Sequence, residues 1–214
     1  MDHSKSDIPA MARDDKNTGA TTKLGTHLTG VLIHGHQPLC YTWHDRFPAG
    51  SDPVATILLD ALTRIEGPLP PTLYLHLDNC GMENKNRFIL GLCHLLVEWG
   101  IFKKIKIGFL PVGHTHDDVD QMFSNFSSPL LMADRFTLTD IGDTCKPSYK
   151  PEPKFIHLTK MGCWTALLDV AMVKNIKLIT DPRYFKIERD SEGVVRHQFR
   201  KHLQNWYSKR VLNE

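Results

Sequence analysis

Residues 72–79 read Thr-Leu-Tyr-Leu-His-Leu-Asp-Asn, and this stretch decides how the chain is read. The run TLYLHL (72–77) is rich in aliphatic and aromatic residues and follows the breaker GPLPP (67–71), so it is the strongest strand signal in the sequence. It runs directly into Asp78-Asn79, which puts a carboxylate at the end of a buried-type strand. In α/β proteins, sites form outside the carboxyl ends of the strands.

Downstream, Phe88, Leu92, Leu95, Leu96 and Trp99 recur at three- and four-residue spacing, which predicts a helix over 83–99 closed by Gly100. Lys104 to Leu110 (KIKIGFL) reads as a strand ended by Pro111 and Gly113, and Asp117 to Ala133 as a helix interrupted at Pro129. Upstream, 27–34 and 39–44 read as short strands. Asp52-Pro53 then opens a helix, Asp52 as its N-cap, with Ile57, Leu58, Ala61, Leu62 and Ile65 on its apolar stripe. A hairpin followed by β-α-β alternation predicts an α/β fold built on one sheet of mixed direction, flanked by helices. Residues 1–24 read as a polar N-terminal arm, 25–139 as the core, and 140–154 (DIGDTCKPSYKPEPK) as a Pro/Lys-rich linker. Residues 155–214 form a basic extension, with a helix over 161–173 and a hairpin (183–188 and 194–199) turning at 190–193.

The 214 residues suffice for one large domain. A charged fraction of 23% with 10 Phe and 4 Trp argues against a mostly disordered chain. No run approaches the length of a membrane span and no secretory signal opens the chain, so no membrane partner is expected. Five scattered cysteines without a CxxC pair argue against a disulfide framework or a structural zinc site, which points to an intracellular compartment. The net charge of +2 divides unevenly: residues 1–150 carry −3 and residues 151–214 carry +5. Such a balance suits a metal-binding body beside a polyanion-binding surface, or reflects an ordinary solvated surface.

Asp78 is the first candidate for chemistry. The second is HTHDDVDQ (114–121), reached after the next strand and opening a helix on which Asp117 and Asp120 share a face. Asp78 with Asp120 or Asp117 would suit a hard cation, since Mg²⁺ takes oxygen ligands and substrate phosphate completes its shell. The plainer alternative is that these acids cap turns and helix starts. His114 and His116 offer a rival site, a zinc-dependent hydrolase. HTHDD resembles the start of the metallo-β-lactamase motif, although Val119 stands where that motif needs another His. Nucleoside-triphosphatase, dinucleotide-binding and α/β-hydrolase fingerprints are absent from the sequence. Cys80 reads as a small buried residue rather than a nucleophile. In the tail, Arg196, Arg200, Lys201, Lys209 and Arg210 interleave with Phe199, Trp206 and Tyr207. That pattern suits phosphate contacts and base stacking, or an amphipathic segment packed on the domain.

The stretches YLHLDNCGMENKN, LLVEWGIF and GFLPVGHTHDDVDQMFS, with MDHSKSDIP and THLTGVLIHGH before them, resemble a eukaryotic family of uncharacterised transposon-derived domains. That family is related to DDE transposases and retroviral integrases. The resemblance covers about residues 1–130 and, more loosely, the tail hairpin. It implies an RNase H-like fold, a nuclear location, DNA as partner and Mg²⁺ or Mn²⁺ as cofactor, and it leaves a homo-oligomer open. It gives Asp78, with Asn79 beside it, the second acidic position. Asp120 takes the helical third, with Asp117 as fallback, and His114 and His116 support. The first acid is Asp2, or an acid upstream of Met1. On the second view the sheet lacks its first strand and the chain is a fragment. The implied activity is metal-assisted cleavage or transfer of a DNA phosphodiester; the alternative is a catalytically inactive relic that binds nucleic acid or protein.

Overall fold

The computed structural model describes residues 2–4, 25–109, 118–132, 137–171, 179, 181–201 and 207–209; for 2–4, 171 and 207–209 it describes the backbone alone. In chain order the elements are β1 (Asp2–Ser4), β2 (Thr26–Val31), β3 (Leu39–His44), α1 (Ser51–Thr63), β4 (Thr72–Leu77), α2 (Arg87–Glu98) and β5 (Lys104–Phe109). Then come α3 (Asp118–Met132), α4 (Leu138–Cys145), a 3₁₀ turn (Lys146–Ser148), β6 (Lys154–His157), α5 (Trp164–Ala171), β7 (Tyr184–Arg189), β8 (Val195–Arg200) and β9 (Tyr207–Lys209). The expected strands over 72–77 and 39–44 stand as read.

The fold is mixed α/β, but the described strands form two sheets where one was expected, and the chain divides into two compact units. Unit 1 combines residues 1–48 with 115–161, and unit 2 combines 49–114 with 162–214. The expected boundaries at 24, 139 and 154 do not coincide with these divisions, because strand pairing joins segments distant in sequence.

Unit 1 has strand order β1-β2-β3-β6. β1 and β3 flank β2 antiparallel, with Asp2 opposite Gly30 and Gly30 opposite Cys40, and β6 runs parallel to β3. The opening segment read as an arm therefore contains a strand. Leu28, Cys40, Val119, Met122, Phe126, Ile141 and Cys145 form the core, bringing α3 and α4 onto the sheet. α3 approaches so closely at Gly30 that a β-carbon there would lie 2.4 Å from the Met122 methyl and 3.2 Å from Val119.

The 140–154 segment is not a simple linker. Thr137 and Asp140 make a reciprocal capping box, and Ile141 and Cys145 turn inward, so α4 forms where Pro and Lys suggested a loop. β6 then pairs with β3. α3 starts at Asp118 and continues past Pro129 to Met132.

Unit 2 has strand order β4-β5-β7-β8-β9. β4 and β5 are parallel, and each later neighbour is antiparallel. The 184–200 hairpin is thus no appendage: Ile105 pairs with Ile187 and Ile107 with Phe185. α2 buries Ile89, Leu92, Cys93, Leu96 and Val97 and packs on β5, β7 and β8, with α1 and α5 beside it. Asp52 does not cap α1. Its carboxylate accepts from the Thr165 amide (2.7 Å) and hydroxyl (3.1 Å), which ties α1 to α5. α2 starts at Arg87 rather than 83, because Asn86 caps it; Gly100 follows with φ 74°.

Among the described residues no helix is long and apolar enough to cross a membrane. All five cysteines are free thiols.

Candidate functional site

The parallel β4–β5 pair positions Asp78 where the sequence places it, just past the last residue of β4 and level with the end of β5, since Leu77 pairs with Phe109. Asp78 is half-buried, and its Oδ1 accepts the Asn79 amide at 2.5 Å. The loop from here to α2 is held by backbone bonds, the Asn84 and Lys85 amides donating to the Cys80 carbonyl (2.9 and 2.8 Å). Asn86 closes it. Its Oδ1 accepts from the Phe88 and Ile89 amides, and its Nδ2 donates to Ser51 Oγ (2.7 Å) and the Gly81 carbonyl (3.1 Å).

This loop buries three consecutive polar side chains, Glu83, Asn84 and Lys85. Burying polar groups is costly unless they are matched, so such a run marks a built environment. The Lys85 ammonium lies 5.5 Å from the centre of the Phe109 ring. Its pKa is lowered by burial and by the neighbouring Arg183, against the opposing pull of Asp181. The Oδ1 atoms of Asn79 and Asn84 are buried, without hydrogen-bond partners among the described residues. Lys85, Asn84 and Arg183 were missed in the sequence. The run ENKN reads as an ordinary polar loop, and nothing local links residue 85 to residue 183.

Asp120 stands in unit 1, in the first turn of α3, where a carboxylate is favoured by the helix dipole. Its carbonyl accepts from Ser124 Oγ (2.9 Å). Asp118, the first residue of α3, lines a cavity of about 670 Å³ with His34, His36, Gln37, Tyr149 and Glu152. Asp2 lies in β1, with its side chain outside the described residues, as are Asp117, His114 and His116 altogether. Among the described residues no group of three or more His, Cys, Asp or Glu could hold a metal ion. Asp78 and Asp120 belong to different units. The described side chains by themselves do not make up a metal site.

The basic tail divides in two. Arg196 is taken up at the hairpin turn by Asp190 (2.7 Å) and Glu192 (3.7 Å), and it holds the Asp190 carboxyl below the usual range. At the other end of β8, Arg200 lies over the Tyr184 ring (5.1 Å) and Lys201 pairs with Asp181 (2.9 Å). Lys209 lies in β9, its side chain not described; Trp206 and Arg210 fall outside the described residues.

The fold and this edge define a mixed α/β protein whose polar loop sits at the carboxyl end of a parallel strand pair. The family described as "Domain of unknown function (DUF7869)" matches residues 16–205, and the chain belongs to that family. No curated protein and no solved structure gives a match.

Proposed function

We propose that the chain is a transposase- or integrase-related domain of RNase H-like type that acts on DNA phosphodiesters with Mg²⁺ or Mn²⁺. The observation that carries this reading is Asp78-Asn79 at the carboxyl end of β4, with β5 parallel beside it. The other acids named by the resemblance belong to unit 1, Asp2 in a strand antiparallel to β2 and Asp120 in the first turn of α3. The metal requirement comes from the resemblance, and the chain's own contribution is to hold carboxylates at element ends. A second reading, a relic that binds nucleic acid without cutting it, draws on the basic side chains of the tail, among them Arg200 and Lys201 at the end of β8.

Nicking of supercoiled plasmid with Mn²⁺ or Mg²⁺, beside DNA binding in EDTA, tests both. The active reading expects nicking that falls by about two orders of magnitude in Asp78→Asn and in Asp120→Asn, the scale for losing one group that stabilises transition-state charge. Asp143→Asn, on the exposed side of α4, should nick normally. Binding without nicking replaces the active reading with the relic. Neither binding nor nicking defeats both.

A further inference from the structure

Strand register in unit 2 brings several basic side chains to the edge that carries Asp78. Leu77 stands beside Phe109, and the Phe109 amide donates to the Arg183 carbonyl (2.8 Å). The Arg183 amide donates to the Arg200 carbonyl (3.1 Å), and Tyr184 pairs with Arg200. Lys201 follows directly. Asp78, Arg183, Arg200 and Lys201 therefore leave the sheet along one edge, the carboxyl edge of its parallel pair. Lys85 joins them from the preceding loop, over the ring of Phe109.

Lys85, Arg183 and Lys201 thus stand at this edge with Asp78 and Asp181, while Arg200, opposite Tyr184, projects from the other face of the sheet. The Arg183 charge lowers the Lys85 pKa, and Asp181 opposes it. Holding like charges together costs free energy that a bound anion relieves. The Lys201–Asp181 pair joins two largely exposed groups, and such pairs contribute little, so Lys201 can turn to a phosphate. The amide oxygens of Asn79 and Asn84 in the same loop have no hydrogen-bond partner among the described residues, a second sign that it is shaped for something beyond the fold.

We propose that this edge binds the phosphodiester backbone of a nucleic acid, with Arg183 and Lys201 contacting phosphate and Lys85 adding to the local positive field. The choice of nucleic acid rests on the function proposed above, whereas the anion site rests on the edge itself. Arg196 is the internal contrast, lying on the same strand but at its other end and already held by Asp190 and Glu192.

The test is binding of the full chain to a short labelled DNA duplex across a salt series, with inorganic polyphosphate titrated in parallel. Each phosphate contact contributes about 0.9 to the slope of log affinity against log salt. Arg183→Ala and Lys201→Ala should each lower the slope by about that amount and weaken polyphosphate binding, while Arg196→Ala leaves both unchanged. Lys201 is exposed, so its variant keeps the test open if Arg183→Ala misfolds. Unchanged slopes in the folded variants, or an equal loss in Arg196→Ala, overturn the site. Duplex binding and nicking with unchanged slopes remove the site and leave the DNA reading standing. Polyphosphate binding that needs Arg183, without duplex binding, keeps the site and removes the DNA reading.

Discussion

Two histidines meet inside unit 2, and their chemistry makes a prediction at the scale of single residues. His94 Nδ1 and His197 Nε2 are 2.7 Å apart, with the rings stacked 15° from parallel and each residue only 6% exposed. Burial lowers both pKa values, and His94 further lowers that of His197, to about 3. Around them stand Glu98, 3.8 Å from His94 Nε2, which favours the charged form, and Arg189, which opposes it. His197 Nδ1 is buried, and among the described residues none receives a proton added there. Because the folded-state values lie below the unfolded one, the pair contributes stability above pH about 6.5 and loses it as pH falls from there toward about 3. Urea unfolding should lose about 1.4 kcal/mol per pH unit for each proton taken up only on unfolding. His197→Phe should flatten that dependence; an equally steep profile in the variant would show that the pair is not its source. None of this was legible in the sequence. His94 lies within the predicted helix and His197 within the predicted hairpin, and only the packing of α2 on β8 makes them neighbours.

At the scale of elements, helix starts were the hardest features to read. The apolar spacing of α2 was visible, but its first turn was placed four residues early because Glu83, Asn84 and Lys85 look like exposed helix residues and are buried loop residues. Asn86 decides the boundary. Asn86→Ala should destabilise the protein by about 1–2 kcal/mol, the usual worth of an N-cap, and thermal melting would measure it. Asn86→Asp keeps the acceptor for Phe88 and Ile89 but loses the donor to Ser51, so it should recover only part of the loss. α4 was missed for the opposite reason: its Thr137–Asp140 capping box was hidden among prolines and lysines that signal a connector. In unit 1 the seat of α3 on the sheet turns on Gly30. Gly30→Ala should cost about 1–3 kcal/mol, as overpacking does, unless Met122 swings away. A melting temperature unchanged by the substitution would show that the helix yields freely.

At the scale of the whole molecule, each unit is assembled from two separated stretches of chain, which the linear reading into core, linker and extension did not foresee. Removing residues 155–214 should therefore disrupt both units. Unit 2 would lose β7, which pairs with β5 along Ile105 and Ile107, and unit 1 would lose most of β6. Circular dichroism and amide exchange of the truncated chain should show loss of ordered sheet, whereas an independent extension would leave residues 25–139 folded. The sequence by itself determined the α/β class, the principal strands, the helical stripe of α2 and the place of Asp78 at a strand end. All of these follow from local spacing, propensity and turn chemistry. Tertiary structure alone decided that Asp2–Ser4 is a strand, that the hairpin joins the sheet of β5, and that Lys85, Arg183 and Lys201 share an edge with Asp78. Those facts depend on pairings between residues far apart in the chain, and such pairings are chosen by the burial of whole faces against one another.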